Sequence, residues 1–412
     1  MYGLEPTAKM HATTLQSSKS ELKGVEKEVS RAVAMVKRGF HKEKVVKKLR
    51  SGRGLRPELI YEIARCRLHA REKFGPLAEK LFFDEEGLRY ATPAVVAEYR
   101  AERLKCDVIA DVSCGAGAQL VFFAMRCRKA YGVELNEERA KLAALNAASL
   151  GLENVEIIVG DATGNTVVKR LKDAEVVFSD PSRPPGEEVR TIESLQPPPL
   201  KIVEKYQRIT EKLAFELPPQ MPPERVRRWL AGEKEYTSLN FQLNRLALYM
   251  GELAECDVSA VSLPSGERVT SEDAAAELEA ADAPKAFLYE VDPTVVKATL
   301  LRNLLGKLGL EASVLSEDKR RTLLTSDEEA SSAFLRRYRV LELVNFGVAS
   351  ITEALKRLDA RKVTLRFSLP PSEYWSVRKR LEEGLSGERW IHLFKIKDKA
   401  LLAERLSPED QL

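Results

Sequence analysis

The sequence predicts an α/β protein: a doubly wound, Rossmann-like parallel sheet, preceded by a helical region and followed by an α+β region of ferredoxin-like type. Three observations predict it. Residues 108–117 read V-I-A-D-V-S-C-G-A-G, an apolar strand that enters an acid and a small-residue turn, directly before a helical pattern at Ala118–Cys127. Three more strand-like runs end in an acid, and helices separate them, which defines a parallel sheet with its site at the carboxyl edge. From Phe287 onward, strand-like and helical runs alternate in β-α-β order.

The first strand end carries a nucleotide-binding turn. Glycines let backbone approach a ligand closely, and a helix N-terminus offers unpaired N–H groups. A nicotinamide or flavin fingerprint reads G-x-G-x-x-G. Here Gly115-Ala116-Gly117 is followed by Ala118-Gln119-Leu120, and Asp111 stands four residues before the first glycine. That D-x-x-x-G-x-G form suits S-adenosylmethionine (SAM), which has no pyrophosphate to cradle. The second strand, Ala130–Val133, ends in Glu134, and one carboxylate accepts from both ribose hydroxyls. The third, Val155–Val159, is followed by Gly160-Asp161-Ala162, where the acid accepts from the adenine amine. The fourth, Ala174–Phe178, is followed by Ser179-Asp180-Pro181-Ser182-Arg183. The helix Asn136–Leu150, with Gly151 as its stop, joins the second and third strands. Each acid alone is also what a helix N-cap after a strand looks like; four at these spacings point to the cofactor.

The chain resembles the class I SAM-dependent methyltransferases that carry a C-terminal THUMP-like domain. The motifs that carry the resemblance are D-V-S-C-G-A-G (Asp111–Gly117), G-V-E-L-N (Gly132–Asn136), G-D-A (Gly160–Ala162) and S-D-P-S-R (Ser179–Arg183). E-L-P-P-Q (Glu216–Gln220), L-Y-E-V-D-P (Leu288–Pro293) and L-L-T-S-D (Leu323–Asp327) add to it. The resemblance spans the chain from about residue 80 onward. It implies a seven-stranded methyltransferase sheet, an RNA-directed enzyme (EC 2.1.1.-) and an RNA-binding C-terminal module. It implies a SAM site of Asp111, Ser113, Gly115, Gly117, Glu134, Leu135, Asp161, Ala162 and Asp180.

The chemistry then falls to Asp180, Pro181 and Arg183. SAM is already activated, so the enzyme mainly aligns the nucleophile with the methyl group. In amino-methylating nucleic-acid enzymes this loop reads D/N-P-P-aromatic, and the aromatic stacks on a flipped base. Asp180 and Pro181 match; Ser182 and Arg183 depart, with Arg183 able to stack on a base or hold a phosphate. D-P-P-R loops of 5-methyluridine enzymes need a downstream cysteine nucleophile. Cys256 stands just before an apolar strand and reads as a core residue. Tyr236, Asn240 and Asn244 are expected on a helix after the core strands.

Three regions are expected: 1–90 helical, 91–272 the SAM-dependent core, and 285–412 the α+β domain. Later core strands are expected at Lys212–Glu216 and Asp257–Leu263, with Arg268–Thr270 as a hairpin partner, and Ser271–Pro284 as a boundary helix or linker. The proline-rich stretch Pro184–Pro199 excludes regular helix or central strand and either shapes a substrate entrance or connects rigidly. Bases dominate between Arg31 and Arg56, with Glu43 the lone acid among Lys42–Arg53. Such a run either tracks a phosphate backbone or is a solvated helix face. C-terminal bases cluster at Lys319–Arg321, Arg336–Arg339, Arg361–Lys362 and Arg378–Arg380, with the same two readings.

Composition fits a globular enzyme: 412 residues, 44% hydrophobic, 31% charged, net charge +4. No apolar run approaches the ~18 residues that span a membrane. Met1–Ser20 lacks an apolar signal core, so a cytoplasmic location is expected. Five scattered cysteines without a C-x-x-C pair argue against zinc and a disulfide framework, and no metal is expected. The expected activity is SAM-dependent methylation of a base in tRNA or rRNA. A catalytically weak SAM-binding, RNA-binding scaffold is the alternative, and a protein or small-molecule methyltransferase a more distant one.

Overall fold

The computed structural model describes residues 12–50, 55–182, 192–318 and 321–406. Arg183 therefore lies outside the described residues, with most of the proline-rich stretch, Arg53, Lys319 and Arg320. The chain forms two compact units: one runs to Lys234 and includes Arg245–Glu255, the other holds Glu235–Asn244 and continues from Cys256.

The first unit begins with β1 (Thr13–Leu15) and helices that wrap a parallel sheet. Helix Lys19–Lys37 starts at Ser18, whose hydroxyl accepts from the Glu21 amide at 3.1 Å. It buries Val25, Val29 and Ala32 on one face. Helices Pro57–His69 and Ala94–Arg103 follow, with Pro57 at the first helical position of the former. The strands are β2 (Val108–Asp111), β3 (Lys129–Glu134), β4 (Val155–Val159), β5 (Val176–Ser179) and β6 (Leu213–Leu217). β7 (Glu233–Leu239) and β8 (Leu243–Tyr249) carry the chain from one unit to the other and back. The order in this unit is β1-β4-β3-β2-β5-β6-β8. β2 to β6 are parallel to their neighbours. β1 and β8 are antiparallel at the outer positions. All five central strands are largely apolar along their length, as double-sided burial requires. The helices share one apolar cluster with them, from Val25 through Phe83 to Ile109 and Phe178.

Residues 236–244, expected as helix, are instead the β7–β8 hairpin. Leu239 and Gln242 exchange backbone bonds at 2.9 and 3.2 Å, and Asn240 and Phe241 both have positive φ (54° and 67°). That is a two-residue primed turn. Phenylalanine in place of the usual glycine hid it.

The second unit carries β9 (Val258–Leu263) and β10 (Glu267–Thr270), paired antiparallel. It also carries a seven-stranded sheet of order β12-β13-β11-β14-β17-β16-β15. Its strands are β11 (Phe287–Val291), β12 (Ser313–Glu317), β13 (Thr322–Ser326), β14 (Leu335–Asn345), β15 (Ala360–Leu365), β16 (Arg389–Ile396) and β17 (Lys399–Arg405). This is larger than the expected small ferredoxin-like sandwich, and β17 lies within it, paired antiparallel with both β14 and β16. Helices Val348–Arg357 and Pro371–Glu382 pack their buried faces on the apolar cluster of Val363, Ile391, Leu393 and Leu402. The expected helix Pro293–Leu308 is two helices, Pro293–Lys297 and Leu301–Leu308, broken at Thr299 with φ 60°. Ser271–Pro284 holds no helix.

Candidate active site

The carboxyl ends of β2, β3, β4 and β5 meet, and a hydrogen-bonded set joins them. Asp111 ends β2 and is 1% exposed; its Oδ1 accepts from the Ser113 amide at 3.2 Å. The Ser113 hydroxyl lies 3.1 Å from the Ser179 hydroxyl and accepts from the Asp180 amide at 2.7 Å. The Cys114 amide donates to the Val133 carbonyl at 3.0 Å. The turn thus crosses from the end of β5 to the end of β3.

The glycines are steric requirements. Gly115 and Gly117 have φ +55° and +80°, which disfavour any side chain. A Cβ on Gly117 would stand 3.1 Å from the Ala143 Cβ and 3.2 Å from its Cα, so the turn sits flat against the helix Glu137–Ser149.

Glu134 is the hub. Its Oε2 accepts from the Gly115 amide at 3.0 Å and its Oε1 from the Asn136 amide at 2.8 Å. The Gly160 amide donates to its carbonyl at 3.0 Å, which ties in β4. Each carboxylate oxygen keeps a lone pair for a further donor such as a ribose hydroxyl. The neighbouring Leu135 side chain is 60% exposed, an apolar surface at a strand end that suits an adenine face. Asp161 is exposed, and its Oδ1 takes both the Thr163 amide and hydroxyl, at 2.8 and 2.9 Å. The Ala162 carbonyl accepts from the buried Tyr206 hydroxyl at 2.8 Å.

So Asp111, Ser113, Gly115, Glu134 and Asp180 belong to one set. Asp161 and Ala162 are fixed in their own turn, and Pro181 is buried beside Asp180. Beyond them Ser182 and Gln196 exchange backbone hydrogen bonds at 2.8 and 2.9 Å, which closes the neck of the proline-rich stretch. Ile192 and Leu195 are buried next to that neck.

The electrostatics suit a cationic ligand. Burial pushes the Asp111 carboxyl up to about 8, and the charges of Asp180 and Glu134 add to the rise. Burial also raises Glu134 against the pull of its backbone donors. Arg100 lowers Asp111 but is committed to Glu216 at 2.7 Å. A ligand with an ammonium and a sulfonium, which SAM has, supplies the charge that these acids lack. Among the described residues no group of three or more His, Cys, Asp or Glu could hold a metal ion.

Several residues that shape the site escaped the sequence reading. Asn146, fully buried on the helix behind the turn, donates to the Ala116 carbonyl at 2.7 Å and the Phe82 carbonyl at 3.0 Å. It also accepts from the Phe82 amide at 2.7 Å. A lone polar residue in A-A-L-N-A-A was its available signal. Arg100 lies over the Phe178 ring at 5.1 Å and donates to Gln119 at 3.1 Å. Glu216 joins it to Arg245 at 2.5 Å. This buried Arg–Glu–Arg group backs the strand end that presents Asp180. In A-E-Y-R-A-E-R nothing distinguishes Arg100 from its surface neighbours.

Two cysteine findings narrow the chemistry. Cys114 lies in the turn, and burial pushes its thiol well above the ordinary range, the reverse of an activated nucleophile. Cys256 sits two residues before β9, its thiol 3.3 Å from the Val258 carbonyl.

The chain is similar to several known proteins. The profile of a family described as RNA cap guanine-N2 methyltransferase matches residues 106–197. An uncharacterized S-adenosylmethionine-dependent methyltransferase of Mycobacterium tuberculosis is 27% identical over 319 residues, 76% of this chain and 85% of that protein. The 23S rRNA (uracil(747)-C(5))-methyltransferase of Proteus mirabilis is 30% identical over 128 residues, 27% of this chain and 34% of that one. A putative methyltransferase from Porphyromonas gingivalis W83 shares the fold, with TM-score 0.74, 17% identity, 95% of this chain and 100% of that chain covered. A glycine turn pinned between acid-bearing strand ends, together with these likenesses, marks the protein as an S-adenosylmethionine-dependent methyltransferase.

Proposed function

We propose that the enzyme methylates a base of tRNA or rRNA in the cytoplasm, with the C-terminal region as an RNA-binding module of THUMP-like kind. The observation that carries this reading is the position of Asp180. Its backbone amide is held 2.7 Å from the Ser113 hydroxyl of the cofactor turn. On this reading its carboxylate serves the edge of the SAM site, next to the end of β5. The matched family profile covers this loop, and relatives named as RNA methyltransferases, such as that of Oceanobacillus iheyensis (37% identical over 83 residues), support RNA as the substrate.

The bound cofactor supplies a methyl group on a sulfonium, ready for in-line displacement. The chain's residues do the rest. Asp180 accepts a hydrogen bond from an exocyclic amine and turns the nitrogen lone pair toward the methyl. Pro181 stiffens the loop. Once the nitrogen has gained the methyl, its surplus proton would pass to the Asp180 carboxylate and from there to solvent. A C5 route through a cysteine is not supported by the Cys114 or Cys256 environments above.

The test is tritiated-methyl transfer from SAM to total RNA from cells that lack this gene, followed by nucleoside digestion and mass spectrometry. Label in a tRNA or rRNA nucleoside is the expected result. Label in protein alone, or SAM binding without transfer to any RNA, would overturn the reading; the latter outcome points to a SAM-binding scaffold.

A further inference from the structure

Seven of the fourteen residues from Lys37 to Arg50 are lysine or arginine, and Glu43 is the single acid. All seven are exposed. None of them makes a salt bridge with a carboxylate among the described residues, although ion pairs are frequent elsewhere in the same unit. A surface that merely stays soluble intersperses both signs. This one leaves like charges side by side, at a repulsive cost that a polyanion would remove.

The patch is built rather than loose. Val45 and Leu49 are buried in the apolar cluster of the first unit, so the intervening lysines project from the opposite side. Two rings lie among the cations: the Lys44 ammonium is 4.4 Å and the Lys48 ammonium 5.9 Å from the Phe40 centroid, and the Lys42 ammonium is 5.9 Å from that of Tyr61. Cations held over aromatic faces keep their charge while the side chains lose freedom.

The patch is also tethered to the active site. Arg56, six residues after Arg50, makes a bidentate pair with Glu138 at 2.8 and 3.0 Å. Glu138 lies in the first turn of the helix whose cap, Asn136, donates to Glu134. Six residues span at most about 20 Å, so the run ends within reach of the rim of the cofactor site.

We infer that Lys37–Arg50 is the docking surface for the phosphodiester backbone of the RNA substrate. This rests on the functional reading above. Contacts of this kind carry position and affinity, not sequence choice. Their signature is counterion release, with about 0.7–0.9 units of log K against log salt for each phosphate neutralised.

The experiment replaces four of the cations (Lys44→Gln, Lys47→Gln, Lys48→Gln, Arg50→Gln) and measures anisotropy of labelled unfractionated tRNA from about 50 to about 200 mM KCl. The expected result is a salt slope smaller by about three and an affinity lower on the order of 100-fold. Calorimetric affinity for S-adenosylhomocysteine, unchanged from the wild type, shows that the variant is folded. A wild-type slope and affinity in the variant overturn the docking surface, as does tighter wild-type binding of a DNA duplex than of tRNA. The two failures are distinguishable: an unchanged slope with RNA still methylated sinks the surface alone, and no methylation of any RNA sinks the functional reading.

Discussion

Asp111 in the first unit and Glu290 in the second are both buried carboxylates, and the chain treats them in opposite ways. Glu290 is surrounded. Arg321 reaches it at 2.9 Å, Arg336 at 3.6 Å and Arg366 at 3.9 Å, and the Tyr338 hydroxyl donates at 3.3 Å. Asp111 has the Ser113 amide as a donor; burial pushes its carboxyl up to about 8, and the charges of Asp180 and Glu134 add to the rise against the pull of Arg100. A buried acid surrounded by guanidinium groups is a structural pin. A buried acid among acids costs stability in the free protein and is compensated when a cation arrives. Both acids are buried; what differs is their company, guanidinium groups around Glu290 and further acids beside Asp111.

Prominent motifs of the second unit serve its scaffold. Asp292 in Y-E-V-D-P caps the helix that begins at Pro293, its Oδ1 accepting from the Thr294 amide at 2.8 Å. In T-S-D, the Thr325 hydroxyl donates to the Phe287 carbonyl at 2.9 Å and the Ser326 hydroxyl to the Glu311 carbonyl at 2.6 Å. These motifs, prominent in the sequence, fasten β11 and β13.

The sharpest test of the contrast is Asp180→Ala. Methyl transfer should fall about 10²–10⁴-fold while SAM affinity stays within a few-fold. A large loss of SAM binding in calorimetry would move Asp180 from the substrate side to the cofactor side. Next is Glu290→Ala, which leaves three arginines without their acid. Urea unfolding should show a loss of about 3–5 kcal/mol with SAM affinity unchanged; a stable variant would break the comparison.

Asp111→Asn should do the reverse. Stability of the free protein should hold or rise, because Asn is buried neutral without the cost of taking up a proton that the unfolded acid lacks, and SAM affinity should drop by about 1.5–3 kcal/mol. Equal loss of stability and affinity would make Asp111 another pin. The smallest effect is in pH. The folded Asp111 holds its proton up to about 8, whereas the unfolded chain loses it near 4. Its contribution to free-protein stability therefore declines as pH rises through that window. A cationic ligand prefers the ionised form, so SAM affinity should climb with pH, by no more than about tenfold per unit, and level off above about 8. Titration calorimetry that is flat from the acid side to the alkaline side of this window would show that Asp111 does not face the ligand's charge.

The cofactor end was legible because its chemistry is local. Asp111, Gly115 and Gly117 lie within seven residues, and Glu134, Asp161 and Asp180 each follow a recognisable strand. What escaped is joined across the chain. Arg100 needs Glu216, and Asn146 needs Phe82; no window of sequence contains both partners. β12 and β13 are five residues each, too short for alternation to stand out. Thr299 takes a positive φ that its residue type disfavours, so the break in Pro293–Leu308 had no composition signal. The basic clusters separate only with coordinates. Among C-terminal bases, Arg337 pairs with Glu329 and Arg378 with Glu382, both at 2.9 Å, and Arg321 and Arg336 hold Glu290. Among the described residues no ion pair holds the Lys37–Arg50 cations, nor Arg361, Lys362, Lys379 or Arg380.

The hydrogen-bonded neck at Ser182 and Gln196 has a consequence for how such an enzyme changes over time. The chain that leaves Asp180 returns to the same point, so its excursion is closed before it meets the sheet. Lengthening a closed loop is cheap, about 0.6 kcal/mol for each doubling. Chain can therefore be added between the neck positions while the methyl-donor end stays still, with the buried Ile192 and Leu195 kept. A new acceptor can be acquired by change beyond this two-residue clasp, with the strand end next to Asp180 left as inherited.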